Sequence, residues 1–121
     1  MRRILAVDDD RDILEIIHYI LEESGYEVNL LADGKEFFDR VKNFMPDLIL
    51  LDIMLGSVDG RELCRKLKED AETRSIPVIL VSASHNPGKL NQAGAPDDFI
   101  AKPFDIDDLL GSIRRQLNTA A

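Results

Sequence analysis

The 121-residue sequence has no tryptophan, a single cysteine and only 6% aromatic residues. It also lacks any apolar run near the roughly 18 residues that a membrane span needs. Met1-Arg2-Arg3 resembles the basic start of an export signal, but Ile4-Leu5-Ala6-Val7 runs straight into three aspartates, too short for the apolar segment of such a signal. The lone Cys64 permits no internal disulfide, so nothing points to an oxidising compartment and a cytoplasmic location is expected. Cations are short as well: 15 Lys plus Arg stand against 23 Asp plus Glu, a net charge of −8. Nucleic-acid binding requires clustered Lys and Arg that displace counterions, so a direct DNA or RNA interface is not expected.

What is present suits one soluble domain. With 45% hydrophobic and 31% charged residues, a chain of this length can bury most of the surface that its unfolded form exposes. Three continuous apolar runs, Ile4-Leu5-Ala6-Val7, Leu48-Ile49-Leu50-Leu51 and Val78-Ile79-Leu80-Val81, read as strands buried on both faces, and Phe99-Ile100-Ala101 as a weaker one. Tyr26-Glu27-Val28-Asn29-Leu30 alternates instead, which places the second strand at a sheet edge. Between these runs lie stripes at helical spacing: Ile13, Ile16, Ile17, Ile20 and Leu21; Phe37, Phe38, Val41, Phe44 and Met45; Leu63, Cys64 and Leu67; and Ile106, Leu109, Leu110, Ile113 and Leu117. Asp33 with Glu36 and Asp59 with Glu62 fit capping boxes, Asp105 fits an N-cap, and Arg114 and Arg115 fall towards the negative end of the last helix. The tail Asn118-Thr119-Ala120-Ala121 is expected to fray.

Regular alternation of strand and helix implies right-handed crossovers and a parallel sheet covered on both faces. The expected fold is α/β, a flavodoxin-like doubly wound (βα)5 domain with five parallel strands in the order 2-1-3-4-5. Ser84 to Ala95 contains Asn86, Pro87, Gly88 and Gly94, so the fourth helix is expected to be short or irregular, with one or two turns around Lys89 to Ala93.

Polar residues follow the first, third, fourth and fifth strands: Asp8-Asp9-Asp10, Asp52, Ser82-Ala83-Ser84 and Lys102-Pro103. A parallel sheet carries its strand ends to one rim, so these residues converge although they are far apart in the chain. Clustered carboxylates repel, and a divalent cation relieves the repulsion. Oxygen donors without Cys or His partners favour Mg²⁺, with Mn²⁺ as the alternative, and leave coordination positions for phosphate. A lysine and a serine hydroxyl at the same rim complement an incoming phosphoryl group.

The ordered set Ile4-Leu5-Ala6-Val7-Asp8-Asp9, Pro46-Asp47-Leu48-Ile49-Leu50-Leu51-Asp52, Asp59-Gly60, Val81-Ser82-Ala83, Gly94-Ala95 and Asp97-Asp98-Phe99-Ile100-Ala101-Lys102-Pro103-Phe104 resembles the receiver domain of two-component response regulators along the whole chain. The resemblance implies that Asp52 accepts a phosphoryl group from a phosphohistidine on a sensor histidine kinase or histidine phosphotransfer protein. It also implies that Asp8, Asp9, Asp52 and the backbone carbonyl of Met54 form the Mg²⁺ site, Asp8 mainly through a metal-bound water. Lys102 and Ser82 would contact phosphoryl oxygens, Phe99 would change rotamer with the switch, and the Lys102-Pro103 bond would be cis. On this reading residues 1–121 are one receiver domain without an output domain, a signalling unit that catalyses only its own phosphorylation and dephosphorylation. It would act on a downstream protein target as a monomer or a phosphorylation-dependent homodimer. A fragment of a larger regulator or hybrid kinase is the alternative.

The sequence departs from the usual receiver pattern at Ser82, where threonine is frequent, and at Gly56, where proline is common, which suggests a looser loop from Leu55 to Val58. Met54 and Ser84 offer no carboxylate or amide to orient a hydrolytic water, so slow to moderate loss of phosphate is expected. Asp10 reads as an N-cap, Cys64 as an inert core thiol, His18 and His85 as surface groups, and Asp105, Asp107 and Asp108 as first-turn charges. A haloacid-dehalogenase-like phosphatase is disfavoured because Asp52-Ile53-Met54 lacks the second carboxylate of that family. Flavodoxin is disfavoured because Asp8-Asp9-Asp10 would repel the FMN phosphate. A phosphorylation-independent scaffold is disfavoured by the intact acid, hydroxyl and lysine set.

Overall fold

The computed structural model describes residues 1–83 and 95–119. In chain order the elements are β1 (Arg3–Val7), α1 (Arg11–Glu23), β2 (Glu27–Leu31), α2 (Phe37–Phe44), β3 (Leu48–Asp52), β4 (Met54–Leu55), β5 (Val58–Asp59), α3 (Gly60–Glu69), β6 (Val78–Ser82), β7 (Asp98–Ala101) and α4 (Ile106–Thr119). The three apolar runs become β1, β3 and β6, the inner strands of a five-stranded sheet ordered β2-β1-β3-β6-β7. Every pairing in it is parallel. With the small β4-β5 hairpin set aside, this is the expected 2-1-3-4-5 order of a flavodoxin-like fold. The turns expected around Lys89 to Ala93 lie outside the described residues, as do Ser84, His85 and Gly94.

Alternate residues of the inner strands feed two separate cores. Ile4, Ala6, Leu48, Leu50, Ile79 and Val81 pack with Leu14, Ile17, Ile20 and Leu21 of α1 and Leu109, Ile113 and Leu117 of α4. Leu5, Val7, Ile49, Leu51, Val78 and Leu80 pack on the other face with Phe37 and Val41 of α2 and Leu63, Cys64 and Leu67 of α3. Burying each such aliphatic side chain contributes about 1.5–3 kcal/mol. The inner strands are thereby held from both sides, and their carboxyl ends form a rigid rim.

Several local expectations are corrected. Ile16, Met45 and Ile106 are exposed, because the buried face of α1 runs through Leu14 instead of Ile16, Ile106 opens α4, and Met45 leaves the helical path. Met45 adopts a left-handed conformation (φ 54°) as the C-cap of α2. Asp33 does not cap α2, which starts four residues later; its carboxylate accepts from the Lys35 N–H in a local turn. Asp59 does cap α3, but Glu62 pairs with Arg65 and does not close a capping box. The second strand runs one residue further than the alternation suggests. The last helix includes Asn118 and Thr119, which leaves Arg114 and Arg115 before its final turn. The segment after Asp52 is no loose loop: Met54-Leu55 pairs antiparallel with Val58-Asp59, and Gly56 (φ 62°) supplies the positive φ of the two-residue turn. Among the described residues no helix is long and apolar enough to cross a membrane.

Candidate functional site

The carboxyl ends of β1, β3, β6 and β7 meet at one rim. Asp8 follows β1, where its N–H donates to the Leu31 carbonyl at 3.1 Å and its Oδ1 accepts from the Asp10 N–H at 2.9 Å. Asp52 is the last residue of β3, and its Oδ1 accepts from the Met54 N–H at 3.4 Å. Both side chains are buried although carboxylates rarely are. Asp9 is exposed beside them, and Asp10 turns away to cap α1 by accepting from the Asp12 and Ile13 N–H groups.

Lys102 enters from β7. Its N–H donates to the Ser82 carbonyl at 2.8 Å, which continues the β6-β7 ladder past Ala101, and the following Lys102-Pro103 bond is cis. Its Nζ donates to Asp8 Oδ2 at 2.7 Å and lies 3.4 Å from Asp52 Oδ2. Thus Asp8, Asp52 and Lys102, distant in sequence, form one buried cluster with Asp9 at its mouth. Ser82 is buried at the end of β6, opposite Ala101. Met54 is exposed at the start of the hairpin, and Phe99 is half-buried against the α2-α3 core. Cys64 sits in that core, where burial pushes its thiol up to about 11, as befits an inert group. His18 is half-exposed, 3.2 Å from Glu22 on the same helix.

The electrostatics follow from three acids and one base in a confined space. Burial, followed by the charge of Asp8, raises the Asp52 carboxyl to about 6, although Lys102 and the Met54 N–H pull the other way. Burial works against the Lys102 ammonium, yet its hydrogen bond to Asp8 and the charges of Asp52 and Asp8 outweigh that and hold its pKa above the ordinary value. One carboxylate oxygen from each of Asp8, Asp9 and Asp52 lies within 4.8 Å of the others. All are hard oxygen donors, and two are buried with less positive charge than they carry negative, so the set fits a divalent cation such as Mg²⁺. Sequence reasoning missed the Asp8–Lys102 ion pair, since no motif spacing records which carboxylate the lysine prefers. It also missed how closely Gly60 approaches the Asp52 backbone. A hollow of about 660 Å³ opens at the opposite end of the sheet between Val41, Met45, Pro46 and Ile76, far from this chemistry.

Comparison with known proteins agrees with this geometry. The family model described as the response regulator receiver domain matches residues 4–114. The chain belongs to that family. It is 38% identical over 97% of its length to the DNA-binding dual master transcriptional regulator RpaA of Synechocystis, covering 49% of that protein. It is 37% identical to the response regulator ArlR of Staphylococcus saprophyticus over 97% of this chain and 53% of that one. The chain therefore spans about half the length of the curated relatives it matches. Among solved structures, a CheY-like receiver domain protein from Methanospirillum hungatei superposes with a TM-score of 0.86 at 34% identity, covering 99% of this chain and 96% of that one. The signal receiver domain of a Syntrophus aciditrophicus histidine kinase gives 0.88 at 34% identity, covering 98% and 92%. The acid–lysine cluster is the type found at receiver phosphoacceptor sites. The geometry and the family match support the domain's own phosphorylation and dephosphorylation, and they set aside the flavodoxin and phosphatase alternatives.

Proposed function

We propose that residues 1–121 form a receiver unit that switches when Asp52 takes a phosphoryl group from a phosphohistidine. The observation that carries this reading is a buried carboxylate at a strand end, flanked by Asp8 and facing Lys102 Nζ at 3.4 Å. An Asp52 oxygen attacks phosphorus, the P–N bond breaks, an acyl-phosphate O–P bond forms, and the departing imidazole nitrogen takes up a proton. With its carboxyl at about 6, Asp52 is mostly ionised at neutral pH, as a nucleophile must be. Lys102 pairs with a phosphoryl oxygen, and in doing so exchanges one anionic partner for another. Asp8, Asp9, Asp52 and the Met54 carbonyl are the groups that would hold Mg²⁺, which supplies charge to balance the incoming phosphoryl oxygens.

The added charge gives the switch its driving force, because it interacts differently with the two states of the rim. In this proposal the Ser82 hydroxyl donates to the new phosphate, and Phe99, on β7 three residues before Lys102, reports the change at the surface. The donor would be a sensor histidine kinase or a histidine phosphotransfer protein. The recipient of the signal would be a protein partner, or a second copy of the chain once phosphorylated.

Intact-protein mass after incubation with acetyl phosphate and Mg²⁺ tests the reading. The expected result is a gain of one phosphoryl group that is lost in Asp52→Asn and with a chelator. An unchanged mass where a known receiver is labelled, or a gain that survives Asp52→Asn, would refute it.

A further inference from the structure

We propose that the hollow at the amino end of the sheet is a binding site for a small amphipathic monocarboxylate, a molecule with one apolar body and one anionic head. It lies far from Asp52, and the inference does not depend on the reading of that residue. The hollow, of about 660 Å³, lies between residues 41–47, at the end of α2, and residues 72–77, which lead into β6. That volume is in the range of small-molecule sites, which pair an apolar lining with a few polar groups. Its floor is apolar: Val41, Pro46 and Pro77 are buried, and Ile76 is half-buried against the α2-α3 core.

Met45 is the residue that points to an occupant. It is the one non-glycine residue of positive φ among the described residues, and it lines the hollow while 70% exposed. Glycine is the ordinary residue where a helix closes in the left-handed conformation. A methionine there holds a strained backbone and leaves an apolar side chain in water, and burial within the chain offsets neither. A flexible thioether side chain adapts to the apolar surface of whatever enters beside it. Both costs fall on this one residue, at the mouth of the cavity.

The rim selects the charge. Arg2 and Lys42 both line it, and neither is in an ion pair among the described residues. Next to them the Asp47 N–H donates to the Arg3 carbonyl at 2.7 Å, and the Arg3 N–H donates to Asp47 Oδ2 at 2.7 Å. This exchange draws the start of the chain against the 46–47 turn, so Arg2 and Lys42 serve the same wall, and it engages the Asp47 carboxylate. Glu72 stands on the other segment. One carboxylate on a ligand thus meets two cations, a second would face Glu72, and an ammonium in its place would be repelled by Arg2 and Lys42.

The probe is 2-naphthoate, set beside naphthalene-2,6-dicarboxylate and 2-(aminomethyl)naphthalene, which keep the ring and change the charge. Binding to the full chain is followed by the amide resonances of Val41, Lys42, Asp47 and Ile76. The monocarboxylate is expected to bind at roughly 0.1–1 mM, with the amides of Asp8, Asp52 and Lys102 unmoved. The dicarboxylate and the amine should bind about fivefold more weakly, and Lys42→Gln should weaken 2-naphthoate about threefold. Met45→Gly is expected to bind it about tenfold more weakly yet to unfold at a higher urea concentration, which separates loss of the site from loss of the fold. No shift at about 10 mM 2-naphthoate would overturn the proposal, as would shifts centred on Asp8 and Asp52 instead. An amine that binds as tightly as the monocarboxylate, or Met45→Gly that binds as tightly as the parent, would overturn it too. If Met45→Gly does not fold, Lys42→Gln decides, and an unchanged affinity there overturns the assignment.

Discussion

A lysine stands at each end of the sheet, and the two are surrounded differently. At the amino end, Lys68 of α3 donates to Asp97 Oδ2 at 2.7 Å, to the Ile76 carbonyl at 2.9 Å and to the Arg74 carbonyl at 3.2 Å. Asp97 Oδ2 also accepts from the Val78 N–H at 2.8 Å, so one ion pair ties α3 to the start of β6 and the approach to β7. At the carboxyl end, Lys102 faces Asp8 and Asp52, with Asp9 beside them. The lysine side chains are about equally buried, 13% and 16% exposed, so burial does not distinguish them. What differs is the count of charges: one acid and two carbonyls match the three N–H groups of Lys68, whereas Lys102 faces two acids with a third clustered beside them. A polar cluster that satisfies itself holds a structure together, and one that carries surplus charge is left with something to bind.

The sharpest way to break this contrast is to remove each lysine in turn. Lys102→Ala deletes the only cation within 4 Å of Asp8 and Asp52 among the described residues. Phosphoryl uptake from acetyl phosphate should fall about 10²–10³-fold while the fold persists. Lys68→Ala should do the opposite, lowering stability in urea by about 2 kcal/mol with uptake by the folded protein unchanged. That figure is set below the usual cost of splitting a buried pair because Asp97 is partly exposed. If Lys102→Ala labels normally, or if Lys68→Ala abolishes labelling without unfolding, the division of roles is wrong.

The two regions also differed in how plainly they could be read. The inner strands announce themselves as apolar runs, and the alternation from Tyr26 to Leu30 marks the edge strand, because the pattern of burial on a sheet is written directly into residue order. Asp8, Asp52, Ser82 and Lys102 were legible because each follows such a run, and a parallel sheet leaves strand ends nowhere to go but one rim. The Lys68–Asp97 pair joins residues 29 apart without a motif, and nothing in its neighbours marks it. The β4-β5 hairpin has two residues in each strand, too few to show a period. Ile16 and Met45 sit beside true core positions, and periodicity alone does not tell the flank of an apolar stripe from its centre. In Met45 the chain has already turned out of the helix. The Gly60 contact is invisible for a similar reason: a glycine needed for space looks the same in sequence as one needed for a turn.

Surplus charge at the carboxyl rim has a thermodynamic signature that the satisfied pair lacks. Burial and Asp8 raise the Asp52 carboxyl from 3.8 to about 6 in the folded protein. Between those values the folded state holds a proton that the unfolded state has lost, so stability falls as pH rises through this range. By pH 7 ionised Asp52 costs the metal-free protein up to about 3 kcal/mol. The most direct measurement is therefore urea unfolding of the metal-free chain and Asp52→Asn at pH 7 and pH 4.5. The expected result is that Asp52→Asn is the more stable by about 1–3 kcal/mol at pH 7, with the gap narrowing towards pH 4.5. An Asp52→Asn protein less stable than the parent at pH 7, or a gap that does not change with pH, would show that the carboxyl rim is as self-satisfied as the amino end and would contradict the account.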